Sequence, residues 1–195
     1  DERLTEENVF VEEGSIEYFK KNLKEMLSVK ALLQAAEVSK IGNADRLKEG
    51  VDELRLDYNL MMFSAICNAV QTVTGCEHIT DDRVNEILGI EYATGKKKIG
   101  ENLCMEGLEN PYLGWYDDEK WLMEEEYRKK EEDPNYKINY SLFGHYNTLR
   151  NKVYKTTGVS WYGGAGEQFF SAQDDTFGPT CTPDEFIAGL TAYAK

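Results

Sequence analysis

Apolar residues recur at helical spacing along most of this chain. Between positions 15 and 39, Ile16, Phe19, Leu23, Met26, Leu27, Leu33 and Val38 fall on one face, which predicts a first helix opening at Ser15 and ended by Gly42. A second stripe, made of Leu47, Val51, Leu54, Tyr58, Met61, Met62, Ala65, Ile66, Ala69 and Val73, runs over residues 43–74. That stretch has no proline, only Gly50 near its start, and Gly75 as its stop. A helix of such length cannot bury its apolar face alone. The two are therefore expected to fold as an antiparallel pair, with Phe19, Leu23 and Met26 against Leu54, Tyr58, Met61 and Ala65.

The remaining pattern adds shorter elements. Thr80 to Arg83 read as the start of a short helix closed by Gly89, because Thr or Asp caps and acids suit the first turn. Residues 90–114 hold four glycines and Pro111 and read as an irregular connection. Residues 117–132 predict a charged helix stopped by Pro134. Residues 140–157 predict an amphipathic one through Leu142, Phe143, Tyr146, Leu149 and Val153, ended by Gly158. Thr182, Pro183 and Glu185 form a capping-box pattern with proline at the first helical position, and Phe186, Leu190 and Tyr193 would dock that last helix. The expected fold is all-α: a bundle with a four-helix-like core over residues 14–195, long irregular loops at 90–114 and 158–181, and an extended acidic arm at 1–13.

Charge narrows the partners. The 195 residues carry 22 Lys and Arg against 36 Asp and Glu, a formal charge of −14, which repels nucleic-acid phosphates and anionic membrane surfaces. The cations are partly segregated: Lys20, Lys21 and Lys24 lie in the first helix, and Arg150, Lys152 and Lys155 in a late segment free of acids. Both sets are candidates for contact with an acidic protein partner. Trp115, Tyr116, Trp161 and Tyr162 sit in or beside the expected loops and are candidate apolar anchors for the same partner. The longest apolar run, residues 60–70, is too short to span a bilayer, so the chain is expected to be soluble or peripheral. The chain starts at Asp1, which fits either removal of a targeting peptide or an artificial boundary.

Candidate chemistry is sparse. Of four cysteines, Cys67 falls on the helical stripe, whereas Cys76, Cys104 and Cys181 fall in expected loops, where one disulfide among the three is expected. Cys76 and His78 with Cys104 offer metal-ligating atoms, but at no zinc-template spacing, and no metal site or cofactor is expected. Gly158 to Gly163 encloses Ser160 with one residue too many for a nucleophile elbow, so a hydrolase built on Ser160 and His145 ranks last.

Leu54-Arg55-Leu56-Asp57-Tyr58-Asn59 resembles the Leu-Arg-x-Asp-Leu-Asn pattern of PsbQ-type extrinsic proteins, and Tyr146-Asn147-Thr148-Leu149-Arg150 is similar to the closing helix of that family. Leu54, Arg55, Asp57 and Asn59 are the matching positions. The resemblance implies a four-helix bundle in the thylakoid lumen that binds and stabilises an integral photosynthetic membrane complex, a photosystem core or antenna, with pigment contacts at the interface and no catalysis. The other reading is a secreted or periplasmic helical domain that binds a ligand or protein.

Overall fold

The computed structural model describes residues 16–78, 99–104, 108–172 and 177–194, and in it the chain is a three-layer α/β sandwich rather than an all-α bundle. The helices are α1 (Ile16–Met26), α2 (Val29–Lys48), α3 (Tyr58–Thr74), α4 (Glu119–Glu132), α5 (Gly144–Leu149) and α6 (Pro183–Tyr193). The strands are β1 (Arg55–Asp57), β2 (Ile99–Cys104), β3 (Tyr154–Tyr162), β4 (Ala165–Ala172) and β5 (Thr180–Cys181). They form one sheet in the order β2-β4-β3-β1-β5, antiparallel except where β1 runs parallel to β3.

The long second helix is the first correction. Its periodicity is real up to Lys48, but Gly50 adopts φ +67 and turns the chain, and Val51, Leu54 and Leu56 are buried as extended chain. Asp57 then caps a new helix by accepting from the backbone N–H of Asn59 and Leu60. Its other oxygen takes the N–H of Phe177 and Gly178. A fully buried carboxylate thus joins β1, α3 and the approach to β5. The first helix is likewise split, because Ser28 turns extended and caps α2 through the Ala31 N–H.

The expected loop 158–181 and the second half of the expected helix 140–157 are the second correction. Residues 154–162 and 165–172 are rich in Thr, Val, Tyr, Trp and Phe and form a hairpin whose two turn glycines, Gly163 and Gly164, both take positive φ, as a two-residue turn requires. A single 3₁₀ turn (Tyr140–Phe143) and the short α5 are all that remains of the helix. Residues 99–104 of the other expected loop form the edge strand β2.

One face of the sheet is covered by α3, with Phe63 stacked on Phe169 at 4.5 Å between centroids, and α1 packs outside it through Phe19, Leu23 and Met26 on Ala65, Ala69 and Val70. The predicted contact of the first helix with Ala65 is therefore present. Leu54 and Met61 belong instead to the larger cluster, and Tyr58 is half exposed against Phe186. The other face is covered by α2, α5 and the π-turn Leu113–Asp118; Tyr112, just before that turn, and Trp115 within it fill the core beside Val159, Trp161 and Phe170. The α6 capping box forms as read, with Thr182 and Glu185 exchanging bonds. The expected helix at 80–89 and the arm at 1–13 lie outside the described residues.

Helix α4 is tied to the chain after it by Glu126, which accepts from Lys129, the Tyr136 hydroxyl and the Asn139 N–H at 2.8 Å each. Its lysine and backbone hydrogen bonds hold its carboxyl down at about 2, from an ordinary 4.5. A depressed acid contributes stability that is complete above its unfolded value and is lost as pH falls through the folded one. The unfolding midpoint in urea should therefore fall between about pH 4.5 and pH 2, more steeply for the native chain than for Glu126→Gln. Parallel curves for the two would remove Glu126 as a source of the acid sensitivity.

Candidate functional site

The side chains expected to meet a partner are mostly buried. Trp115, Tyr116 and Trp161 are 2–4 % exposed, and Tyr162 is half-buried against the α1–α3 cluster. The Trp115 indole donates to the Leu103 carbonyl. The Tyr116 and Tyr146 hydroxyls both donate to Glu49, which also takes Lys120 at 2.7 Å. Burial pushes Glu49 up, but these hydrogen bonds outweigh it and its carboxyl is held below the ordinary value, while burial and Glu49 push Tyr146 up to about 12. These aromatics are core and core-rim groups, so they are not anchors for a partner.

The two basic sets are not brought together. Lys20, Lys21 and Lys24 are exposed on α1, outside α3, whereas Arg150, Lys152 and Lys155 follow α5 on the opposite layer. Lys155 pairs with Asp52 at 3.0 Å. Arg150 and Lys152 line an open groove of about 460 Å³ with Glu49, Val51, Asn147 and Asn151. Of the motif residues, Leu54 and Asp57 are buried, Arg55 hydrogen-bonds Thr180 across to β5, and Asn59 lies in the first turn of α3. No long helix carries them. Cys67, Cys76 and Cys181 are thiols, and any pairing within the expected pool needs Cys76 or Cys181, so none of those bridges is formed. Ser160 is buried beneath α3, where it accepts from Asn68 at 3.0 Å. His145 lies on the other face of the sheet, so a Ser160–His145 pair does not exist.

What the fold does assemble is a histidine–carboxylate couple on each side of the edge strand β2. His78, just beyond the C-terminus of α3, has its Nδ1 at 2.5 Å from Glu101 Oε2. His145, at the start of α5, has its Nδ1 at 2.5 Å from Glu119 Oε1, and the other oxygen of Glu119 accepts from the Tyr146 N–H. The register places Glu101 on the α3 face of the sheet with Phe169, and Asn102 on the α5 face with Gln168. Asn102 donates to the His145 carbonyl at 3.2 Å, and the Trp115 ring lies 6.2 Å from the His145 ring. Glu101 of β2 thus belongs to the His78 couple, whereas Asn102 holds only the backbone at His145, whose carboxylate comes from α4. The His78 side chain is 64 % exposed and that of His145 31 %, while Glu101 and Glu119 are 11 % and 14 % exposed. The carboxylates are sheltered and the imidazoles face outward.

A neutral histidine whose Nδ1–H is held by a carboxylate presents the Nε2 lone pair in a fixed direction. That arrangement suits metal ligation or proton abstraction. Comparison with known protein families, with curated proteins and with solved structures gives no match for this chain. Among the described residues, no three His, Cys, Asp or Glu side chains converge as a metal-ligating group. The couples span 23 and 26 residues of sequence, so no spacing rule could have shown them. The available signal was scarcity: the chain has only two histidines.

Proposed function

We propose that this protein is a non-catalytic binding module that takes divalent, imidazole-seeking cations, of which zinc is the natural probe, at His78 and at His145 separately, one on each face of the sheet beside the edge strand β2. The observation that carries the reading is that both histidines of the chain have Nδ1 engaged by a sheltered glutamate and an imidazole more exposed than that glutamate. Imidazole nitrogen is a preferred ligand of zinc, copper and nickel, and a carboxylate behind it fixes the tautomer and raises its basicity. Water or a partner's ligand would complete the coordination. Against hydrolysis, the buried Ser160 and Cys67 point to α3 packing and carry no contact with either histidine. The narrower role, an extrinsic subunit of a photosynthetic membrane complex, drew on a helical Leu54–Asn59 segment, and no observation of this structure favours it. No described helix is long and apolar enough to cross a membrane.

Calorimetric titration of the metal-stripped chain with zinc should give two independent sites. His78→Ala and His145→Ala should each remove one of them, and Glu101→Gln and Glu119→Gln should weaken the site of the paired histidine roughly 10–100-fold. Absence of uptake by the native chain, or both sites retained in either histidine variant, overturns the reading.

A further inference from the structure

Two cations are left over once the ion pairs around the end of α5 are assigned. Asp52 takes Lys155 at 3.0 Å, and Glu49 takes Lys120 of α4 at 2.7 Å. Among the described residues no carboxylate pairs with Arg150 or Lys152. In a chain of formal charge −14, both of these cations stand on one open groove of about 460 Å³, whose wall also holds Glu49, Val51, Asn147 and Asn151. The fold has already engaged the side-chain acceptors of that wall. Glu49 Oε1 accepts from Tyr116 and Lys120, and its Oε2 accepts from Tyr146. Asn147 Oδ1 accepts from Arg150 Nε at 3.3 Å, and Asn151 Oδ1 from the Val153 N–H at 3.0 Å. What remains is a set of donors: the Nη groups of Arg150, the Lys152 ammonium, and the amide N–H groups of Asn147 and Asn151.

These donors are held in place without a ligand. The Arg150 guanidinium lies over the Tyr146 ring, 5.1 Å from its centroid, and the Tyr146 hydroxyl is anchored on Glu49 at 2.9 Å. Beneath the segment, the buried Arg46 holds the carbonyls of Leu149, Asn151 and Tyr154. Groups fixed in this way lose less freedom on binding.

We infer that this groove binds the phosphate group of a small organic molecule. A wall of donors is served by an acceptor-rich anion, and a phosphate monoester presents three acceptor oxygens and roughly 1.5–2 negative charges at neutral pH. The planar fork of Arg150 matches two of those oxygens, and Lys152 adds a second positive charge. The groove is larger than a bare phosphate and falls in the range of about 300–1,000 Å³ found for small-molecule sites. Val51 gives it an apolar contact for the organic part. The groove shares no residue with either histidine couple, so this inference stands apart from the cation reading.

The test uses the metal-stripped chain, in which no bound zinc can meet the phosphate. Titration with inorganic phosphate and with glycerol 3-phosphate is followed by NMR of the Asn147 and Asn151 side-chain amides and of Arg150 Nε–H. Both should give saturable shifts, glycerol 3-phosphate at the lower concentration, and glycerol none. Arg150→Gln and Lys152→Gln should each weaken binding about tenfold or more, since each removes a charged donor. Arg150→Lys should recover only part of the loss, because an ammonium lacks the fork. Both side chains are exposed, so these variants keep the fold. Lys30→Gln, at the far end of α2, removes the same charge away from the groove and should leave affinity unchanged. No saturable shift with either phosphate, or Lys30→Gln weakening binding as much as Arg150→Gln, overturns the site. Equal affinity for inorganic phosphate and glycerol 3-phosphate overturns the organic ligand.

Discussion

Glycine 158 replaced by alanine should cost about 4 kcal/mol or more, a loss large enough to unfold a domain of ordinary stability. Gly158 lies mid-strand in β3, opposite Phe169, where α3 crosses the sheet. A Cβ there would land on the Leu60 carbonyl and the Met61 amide nitrogen, which are helix backbone and cannot swing aside as a side-chain tip does. Relief requires lifting α3 from the sheet. That movement would open the Phe63–Phe169 stack and pull Asn68 from Ser160 Oγ and the Ala165 carbonyl. Denaturant unfolding followed by tryptophan fluorescence measures the loss. A cost below about 1 kcal/mol would show that α3 slides over β3 rather than being locked against it.

Arg46→Met should cost about 3–5 kcal/mol, in the range seen when one partner of a buried charged network is removed. Arg46 is 0 % exposed at the end of α2, and its guanidinium serves four backbone carbonyls: Asp52 at 2.8 Å, Leu149, Asn151 at 3.3 Å and Tyr154 at 3.2 Å. Burial lowers its pKa to about 10, so it remains charged at neutral pH. Methionine fills most of the volume but leaves those carbonyls without donors. Lysine would recover only part, because a single ammonium cannot reproduce the planar fork that reaches acceptors on both sides. The same carbonyls shape the passage from α5 into β3, so the loss should also loosen His145 at the start of α5. Urea unfolding of the methionine and lysine variants checks the order, native above lysine above methionine. Equal stability of all three would mean that water replaces the guanidinium without cost.

Several local features were readable from the chain itself. The α6 capping box needs only Thr182, Pro183 and Glu185, and it forms as written, because a cap is an exchange of bonds within one turn. The stops at Gly75 and after α4 follow from the same local chemistry, and α1 presents the predicted Phe19, Leu23 and Met26 face to Ala65. The Gly163-Gly164 turn was equally local, a two-glycine link between β-branched and aromatic runs. The helical spacing from Leu142 to Val153 masks it, because that spacing predicts a helix as far as Thr157. That spacing ends in structure at Leu149, one turn before Tyr154 begins β3.

The remainder depended on partners distant in sequence. Strand β1 is three residues long and holds only because β3 lies on one side and β5 on the other, contacts made by residues about a hundred positions away. Without them Leu54-Arg55-Leu56-Asp57 sits as well on a helical stripe as in a strand, and periodicity alone chose wrongly. Burial worked the same way for the expected anchors: nothing in the composition around Trp115 or Trp161 separates an aromatic in a core from one at an interface. The candidate site is the strongest case. The sequence determined that only two imidazoles and many carboxylates were on hand, whereas the tertiary structure decided which glutamate meets which histidine, because pairing across an edge strand is set by register and by helix docking. Glu167 shows the same division, an ordinary acid in the sequence whose carboxyl is pushed well above the usual range by burial in the sheet.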